Sequence, residues 1–432
     1  MKIHWIAIGA VLGLMSLGAE PPPPKPPPTA SQQLQEIQDG LRQAHAGNDA
    51  AAYVSYARKM RDLLNGSPDS ILQLMLAESF AGNAREALQC FSHYLRLGQS
   101  NPAVLQSRQL DAIRGRPEFA ALVARMADNR GMISAGTKAF DFTDKELLPE
   151  DIDYDSTTKC FYLTSILHHE LLAVDLSGHA RIFAPAPDRW PMVAVKVDSR
   201  RRLLWATEVA FDGLDLTPAQ DWGHSAILLY DLDTGRLRRR IPGPEPSGLG
   251  DMTLTDDGDA IVSDGDRGGV YRVRLATGSI ERLDAGDFIS PQTPALHPDG
   301  RHIFVPDYTR GIGVLDLQTR QVAWMNTEGT HALSGIDGLY LRGRTLVAVQ
   351  NGTAPERVIV FHLDASLSRI ESESIVERAT PTLGVPTHGV FLGGDFYYIA
   401  NSGWNVLDEH GRRKPGAAFS PACIRRAQLN SE

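Results

Sequence analysis

Two hydrophobic periods divide the chain. From Ser31 to Arg130 apolar residues recur every three or four positions, the spacing of amphipathic helices. Leu34, Ile37, Leu41 and Ala44 make one stripe; Tyr53, Ala57, Met60 and Leu64 make the next. Ile71, Leu74, Ala77 and Phe80 follow, then Ala87, Phe91, Tyr94 and Leu95. Gly47-Asn48-Asp49, Gly66-Ser67-Pro68-Asp69 and Gly82-Asn83 separate them as turn signals. The pattern predicts helices of about a dozen residues in antiparallel pairs. After Gly131 the period becomes two, and strand formers take over.

The second region repeats itself. An inner phrase leads through a Gly or Asp turn to a second strand, then to a third. Glu150-Asp151-Ile152 leads to Phe161-Tyr162-Leu163-Thr164-Ser165; Val193-Ala194-Val195 to Leu203-Leu204-Trp205-Ala206-Thr207; Gly250-Asp251-Met252 to Ala260-Ile261-Val262-Ser263-Asp264. Further copies begin at Gln292, Asp337 and His388. The intervals of roughly 40 to 60 residues are those of four-stranded blades. The fold expected is mainly β: a six-bladed β-propeller with an N-terminal all-α helical module. Lys138 to Phe142, ahead of the first copy, is expected to close the ring against the last blade and remove the open edge.

Composition narrows the function. Lys plus Arg is 43 and Asp plus Glu is 52, a formal charge of -9. Such a chain is poorly suited to neutralising phosphates, so no nucleic-acid partner is expected. The opening segment has Lys2 and His4, an apolar run from Trp5 to Leu17, and small residues near Gly18 and Ala19. It reads as a signal peptide over 1–19, with periplasmic or secreted localisation and no membrane span after cleavage. A proline-rich linker follows over 20–30, then the helical module over 31–130 and the propeller over 131–432. Cys90, Cys160 and Cys423 allow at most one bridge, with the pairing left open.

The six phrases place candidate chemistry. In a propeller the inner strands run down a central channel from one mouth, so Glu150, Val193, Gly250, Gln292, Asp337 and His388 form a ring there. Two carboxylates and an amide oxygen on rigid strands suit a hard divalent cation, Ca2+ first. The candidate ligands are Glu150, Gln292 and Asp337. His388 is either a ligand or acid/base partner, or a channel filler bonded to Thr387. Loops after each second strand share the mouth face, which makes Trp222, Asp307, Arg310, Asn351 and Asn401 candidate substrate contacts, together with Asp251. Asp251 itself should turn away from the channel by alternation. The second blade carries an insertion from Glu208 to His224 with Phe211 and Trp222, expected as a lid or substrate wall, or as a loop packed on the helical module.

Two resemblances add to this. The stretch Ser70–Gly98 resembles a tetratricopeptide repeat, through the small Ala77, the Gly82 turn and the helix start at Ala84–Ala87. That implies a surface for a protein partner, or a cap packed on its neighbour. The propeller resembles the SMP-30/gluconolactonase/strictosidine-synthase-like group. The resemblance rests on Pro149-Glu150, Gly250-Asp251, Pro291-Gln292 with Pro298-Asp299-Gly300, and Asp337-Gly338. It implies a metal held by residues aligned with Glu150 and Asp337, the latter also serving as base for water. Gln292 stands where the group has Asn, and Gly250 stands where it often has a second Asn. The expected activity is hydrolysis of a small lactone or ester by an exported protein. The alternative is a non-catalytic propeller that binds a small ligand at its mouth or a protein partner.

Overall fold

The computed structural model describes residues 27–325 and 329–429. The expected signal peptide and most of the proline run lie outside them. Four helices come first, Ala30–Ala46, Ala50–Leu63, Pro68–Phe80 and Ala84–Arg96, followed by the short Asp111–Arg114 and by Pro117–Asp128. Thr29 and Gln32 form a capping box on the first helix, and Asp49 caps the second. Each satisfies amides that a first turn leaves unpaired.

Six sheets follow, each with its strands in antiparallel order outward from the channel. The inner strands of blades 1 to 6 are Pro149–Asp155, Met192–Asp198, Leu249–Leu254, Ala295–Leu296, Ile336–Arg342 and Gly389–Leu392. Strict alternation sends neighbouring side chains to opposite faces, and here both faces are buried. Phe161 and Leu163 enter the core shared with blade 6, whereas Tyr162 between them enters the core shared with blade 2. Likewise Leu204 and Ala206 face blade 1, and Leu203 and Trp205 face blade 3. Every neighbouring pair of blades shares such a core. That is why the second strands read as nearly continuous apolar runs.

The ring closes as expected. Thr137–Asp141 is the outer strand of blade 6, with Lys138 opposite Arg425 and Asp141 opposite Cys423. Just before it, Ile133–Ser134 adds a fifth strand to blade 5. Two residues are too short to show a period, so the sequence carried no sign of this strand. Buried Arg425 ties the segment down. Its Nε donates to Glu377 Oε2 at 2.8 Å, and its Nη2 donates to Ser134 Oγ at 3.2 Å and to Gly136 O at 2.5 Å.

The helical module docks on the mouth face over blades 4 and 5. Asn65 Nδ2 donates to Arg310 O at 3.0 Å, and Arg310 Nε returns a bond to Leu63 O at 3.0 Å. His93 Nε2 lies 2.9 Å from Gly329 O, and Ala354 N donates to Gln99 Oε1 at 3.2 Å. Ala332 of the propeller is part of the helical core. Gly98, at φ +75, brings the turn against Arg357, where a Cβ would lie 3.3 Å from the guanidinium. Arg357 is fully buried, and its Nε donates to Gln350 Oε1 at 2.6 Å. The three cysteines are free thiols. Among the described residues no helix is long and apolar enough to cross a membrane.

Candidate functional site

The heads of the inner strands are irregular, and that shapes the site. Register shifts between Pro149 and Ile152, Met192 and Val195, Leu249 and Met252, and Ile336 and Gly338. A bulge suspends alternation locally. In blades 1 to 3 a hydroxyl from the second strand spans to the next blade. Thr164 Oγ1 donates to Val193 O at 3.0 Å, Thr207 Oγ1 to Gly250 O at 2.8 Å and Ser263 Oγ to Gln292 O at 2.8 Å. Thr164 and Thr207 also accept from the amides of Asp151 and Ala194. Ring positions are thus pinned blade to blade.

Ligand atoms of Glu150, Asp337 and His388, from three separate blades, lie within 4.8 Å of one another. Each is held from outside. Trp404 Nε1 donates to Glu150 Oε2 at 2.6 Å. The indole is placed by a short 3-10 turn that starts after Gly403, at φ +96, a conformation few side chains tolerate. Asn351 Nδ2 donates to Asp337 Oδ2 at 2.7 Å, and Tyr308 OH donates to Asn351 Oδ1 at 2.8 Å. His388 Nδ1 lies 2.7 Å from Glu150 O. The expected bond to Thr387 is not made, since Thr387 Oγ1 has no partner. With Nδ1 spent on a carbonyl, Nε2 is the ring atom left to face the channel, and it too has no hydrogen-bond partner.

Asp251 corrects an expectation. Its carboxylate does not turn away: Oδ2 lies 3.3 Å from His388 Nε2, across the ring from blade 3 to blade 6. The bulge at Leu249–Met252 is the physical reason. The contact has ion-pair distance without hydrogen-bond alignment. Asp151 and Asp153 also serve the channel wall. Asp151 Oδ2 accepts from Val195 N at 2.8 Å and from Lys196 Nζ at 2.5 Å, and Asp153 Oδ2 accepts from Val197 N at 2.6 Å.

Five acids therefore surround a channel that holds one lysine and one imidazole. Burial, then the neighbouring Asp337, raises Glu150 well above the ordinary carboxylate range. Burial pushes Asp337 up to about 6, against the pull of His388. Burial opposes a charge on His388, but Asp251, Asp337 and Asp151 outweigh it and raise its pKa well above the ordinary value. Each shift has the cause expected of carboxylates crowded in a dry channel.

The remaining candidates are placed elsewhere. Asp307 Oδ2 accepts from the amides of Ile289 and Ser290, and its Oδ1 from those of Thr309 and Arg310. Asp264 holds Gly248, Asp266 and Arg267 in the same way, and Gln350 holds Ala332 and Ser334. Polar residues that end second strands thus staple the loop entering their own blade, although Asp264 does so through Oδ1 alone and its Oδ2 makes no hydrogen bond. Arg310 stacks on Trp324 at 4.2 Å and anchors the helical module. Asn401 Nδ2 donates to Pro421 O at 3.0 Å. Gln292 turns its amide nitrogen to Ser290 O at 3.3 Å and Ser290 Oγ at 3.1 Å. Trp222 Nε1 bonds Leu214 O and Thr217 O, inside its own insertion.

That insertion meets the loop of blade 6 rather than the helical module. Asp215 N donates to His410 O at 2.8 Å, Arg412 pairs with Asp215, and Phe211 and Leu216 pack in a cluster with Trp404 and Phe419. The helices occupy the other side of the mouth, over blades 4 and 5. A separate cavity of about 330 Å3 lies at the far end of the channel, lined by Asp153, Lys196, Leu339, Tyr340 and Phe391 among others. None of Glu150, Asp337 and His388 lines it.

Comparison with known proteins gives no matching family model, and no curated protein matches the sequence. Solved structures of similar architecture include a luciferin-regenerating enzyme, at 14% identity and TM-score 0.48, covering 69% of this chain and 96% of that one. A gluconolactonase from Xanthomonas campestris is similar at 13% identity and TM-score 0.45, covering 69% and 89%. The calcium-binding protein regucalcin from Agrobacterium tumefaciens is similar at 16% identity and TM-score 0.45, covering 68% and 95%. At these values the likenesses assign neither an activity nor a ligand to this chain.

Proposed function

We propose that the chain is an exported, divalent-metal-dependent hydrolase that opens a small lactone or ester at the channel mouth. The observation that carries this reading is the convergence of Glu150, Asp337 and His388 within 4.8 Å, with the buried Nε2 of His388 making no hydrogen bond. The donors fit a divalent cation: uncompensated carboxylates in a buried ring repel one another, and a cation satisfies them. One imidazole with two carboxylates favours Zn2+ or Mn2+ over Ca2+, which prefers oxygen ligands alone.

A bound cation supplies Lewis-acid polarisation of the ester carbonyl. The chain's own residues do the rest. Trp404 and Asn351 each fix one carboxylate oxygen, of Glu150 and Asp337 respectively, and so orient the groups before substrate arrives. Asp337 takes the proton from the attacking water, and the nearby positive charge of His388 opposes the upward push of burial on its carboxyl. The proton taken up by Asp337 then passes to the leaving oxygen as the acyl C–O bond breaks, while the His388 ring is held in place through Nδ1 by Glu150 O. The blade 2 insertion with the blade 6 loop, and the helices opposite, narrow the mouth and favour a small substrate.

A second reading has its own support. Gly250 offers no donor, and the amide nitrogen of Gln292 is engaged by Ser290. A propeller with this ring could bind a small ligand without turning it over. The helical module, in either case, is a candidate surface for a protein partner. The deciding experiment is a thermal melt of chelated protein with added Mn2+, Zn2+ or Ca2+, followed by a panel of lactones. A cation at a hundredfold excess over its Kd stabilises by about 2.7 kcal/mol. The rise should be smaller in Asp337→Ala than in wild type. No rise with any of the three ions, and no turnover, would leave the binding reading.

A further inference from the structure

We propose a second cation site, selective for a transition metal such as Zn2+, on the turn His297 to His302 at the far face of blade 4. This turn joins the inner strand Ala295–Leu296 to the second strand His302–Asp307, opposite the mouth. His297 N donates to His302 O at 3.1 Å and Gly300 N to His297 O at 3.1 Å, so the hairpin is closed and its side chains are spaced by ordered backbone. His297 Nδ1 stands 3.0 Å from Asp299 Oδ1, and His302 Nδ1 stands 2.6 Å from Asp299 Oδ2. Ligand atoms of all three residues lie within 4.8 Å of one another. Two imidazoles and a carboxylate form a donor set for Zn2+ and its neighbours, not for Mg2+ or Ca2+.

The surroundings are those of a supported site. His302 Nε2 lies 3.8 Å from Asp316 Oδ2, and Asp316 is itself held by Arg301 Nε at 3.1 Å. At that distance the carboxylate makes no hydrogen bond to the ring, but it places a negative charge on that side of the imidazole. The ring of His297 rests on Phe304, with centroids 5.4 Å apart. Asp299 keeps 39% of its side chain exposed, which gives an ion a path from solvent. As arranged here the same atoms hold one another. Asp299 accepts from His302 Nδ1 and from the amides of Arg301 and His302, and His297 Nδ1 accepts from the amide of Asp299 at 3.2 Å. The ion takes the place of the proton on His302 Nδ1. The ring's remaining proton then sits on Nε2, facing Asp316.

The test uses the full chain, chelated, then equilibrated with micromolar free Zn2+, with bound zinc counted by elemental analysis. His297→Ala and His302→Gln should each lose one equivalent relative to wild type. Asp337→Asn, at the mouth, should keep that equivalent, which separates this site from the proposed function. His302→Gln retains a donor for Asp299, and an unchanged circular dichroism spectrum shows that the loss is not unfolding. Equal zinc content in wild type and both histidine variants overturns the proposal.

Discussion

His388 Nε2 and Asp251 Oδ2 face each other at 3.3 Å from opposite blades of the ring. Neither atom has another hydrogen-bond partner. The imidazole is the cation nearest to several buried acids, so its removal strands them. In metal-free protein, His388→Ala should lower stability by about 3–5 kcal/mol, as when one member of a buried pair is deleted. Adding Asp251→Asn should restore part of that loss, because the stranded charge has gone. Urea unfolding of the four proteins in the cycle measures the coupling. Purely additive losses would mean that the two groups do not act as a pair.

Gly250 is the ring position without a side chain. Its backbone is outside the left-handed region, and a Cβ would meet Val193 Cγ1 at 3.4 Å and Gly248 O at 3.9 Å, both ordinary contacts. Gly250→Asn should therefore fold and present a new oxygen to the ring. Tighter binding of divalent ions, read by calorimetric titration, is the expected outcome. Unchanged affinity in a folded variant would place the ion, if any, away from blade 3.

Glu208 gives the fold a pH dependence. Burial, then Asp188, raises it from 4.5 to about 8, against the pull of Arg240. Its Oε1 lacks a hydrogen bond and lies 3.5 Å from Arg240 Nε. A carboxyl raised in the folded state binds its proton more tightly there than in the unfolded chain. Its contribution is complete below about pH 4.5 and is lost as the pH rises through about 8. Glu208→Gln should thus flatten the fall in Tm between about pH 4.5 and about pH 8. A parallel fall in both proteins would assign the dependence to other groups.

Arg357 connects the two parts of the molecule. Burial lowers its pKa to about 10, and its guanidinium lies under Gly98. Arg357→Ala would leave Gln350 Oε1 without its charged donor, a cost of about 1.5–3 kcal/mol. The helical module should then melt separately, and calorimetry should show two transitions where wild type shows one. A single unshifted transition would mean that docking depends on the other contacts.

The fold was legible because both faces of every blade are buried. Phe161, Tyr162 and Leu163 had to be apolar together, and six such runs made the repeat visible. Glu150, Asp337 and His388 were found because each heads an inner strand. Asp251 was misdirected because alternation is broken by a bulge that no residue type announces. Asp307 was read as a substrate contact because a loop staple and a ligand contact use the same polar side chains. The recurrence of Thr164, Thr207 and Ser263 near the ends of second strands was a signal available in the sequence. Its meaning, a bridge to the next blade, required the structure. The Trp404–Glu150 bond joins residues 254 positions apart, and no local pattern encodes it.

The closing strand also sets the order in which the molecule can be made. Arg425 meets Ser134 across 291 positions of chain, and Cys423–Gln428 pairs with Thr137–Asp141. A ribosome releases the earlier partner long before it has synthesised the later one. Until then blade 6 lacks its finished edge, and Thr137–Asp141 is without its partner strand. Contacts so distant in sequence form slowly. The nascent chain therefore depends, late in synthesis, on whatever keeps that strand from pairing with a neighbouring copy.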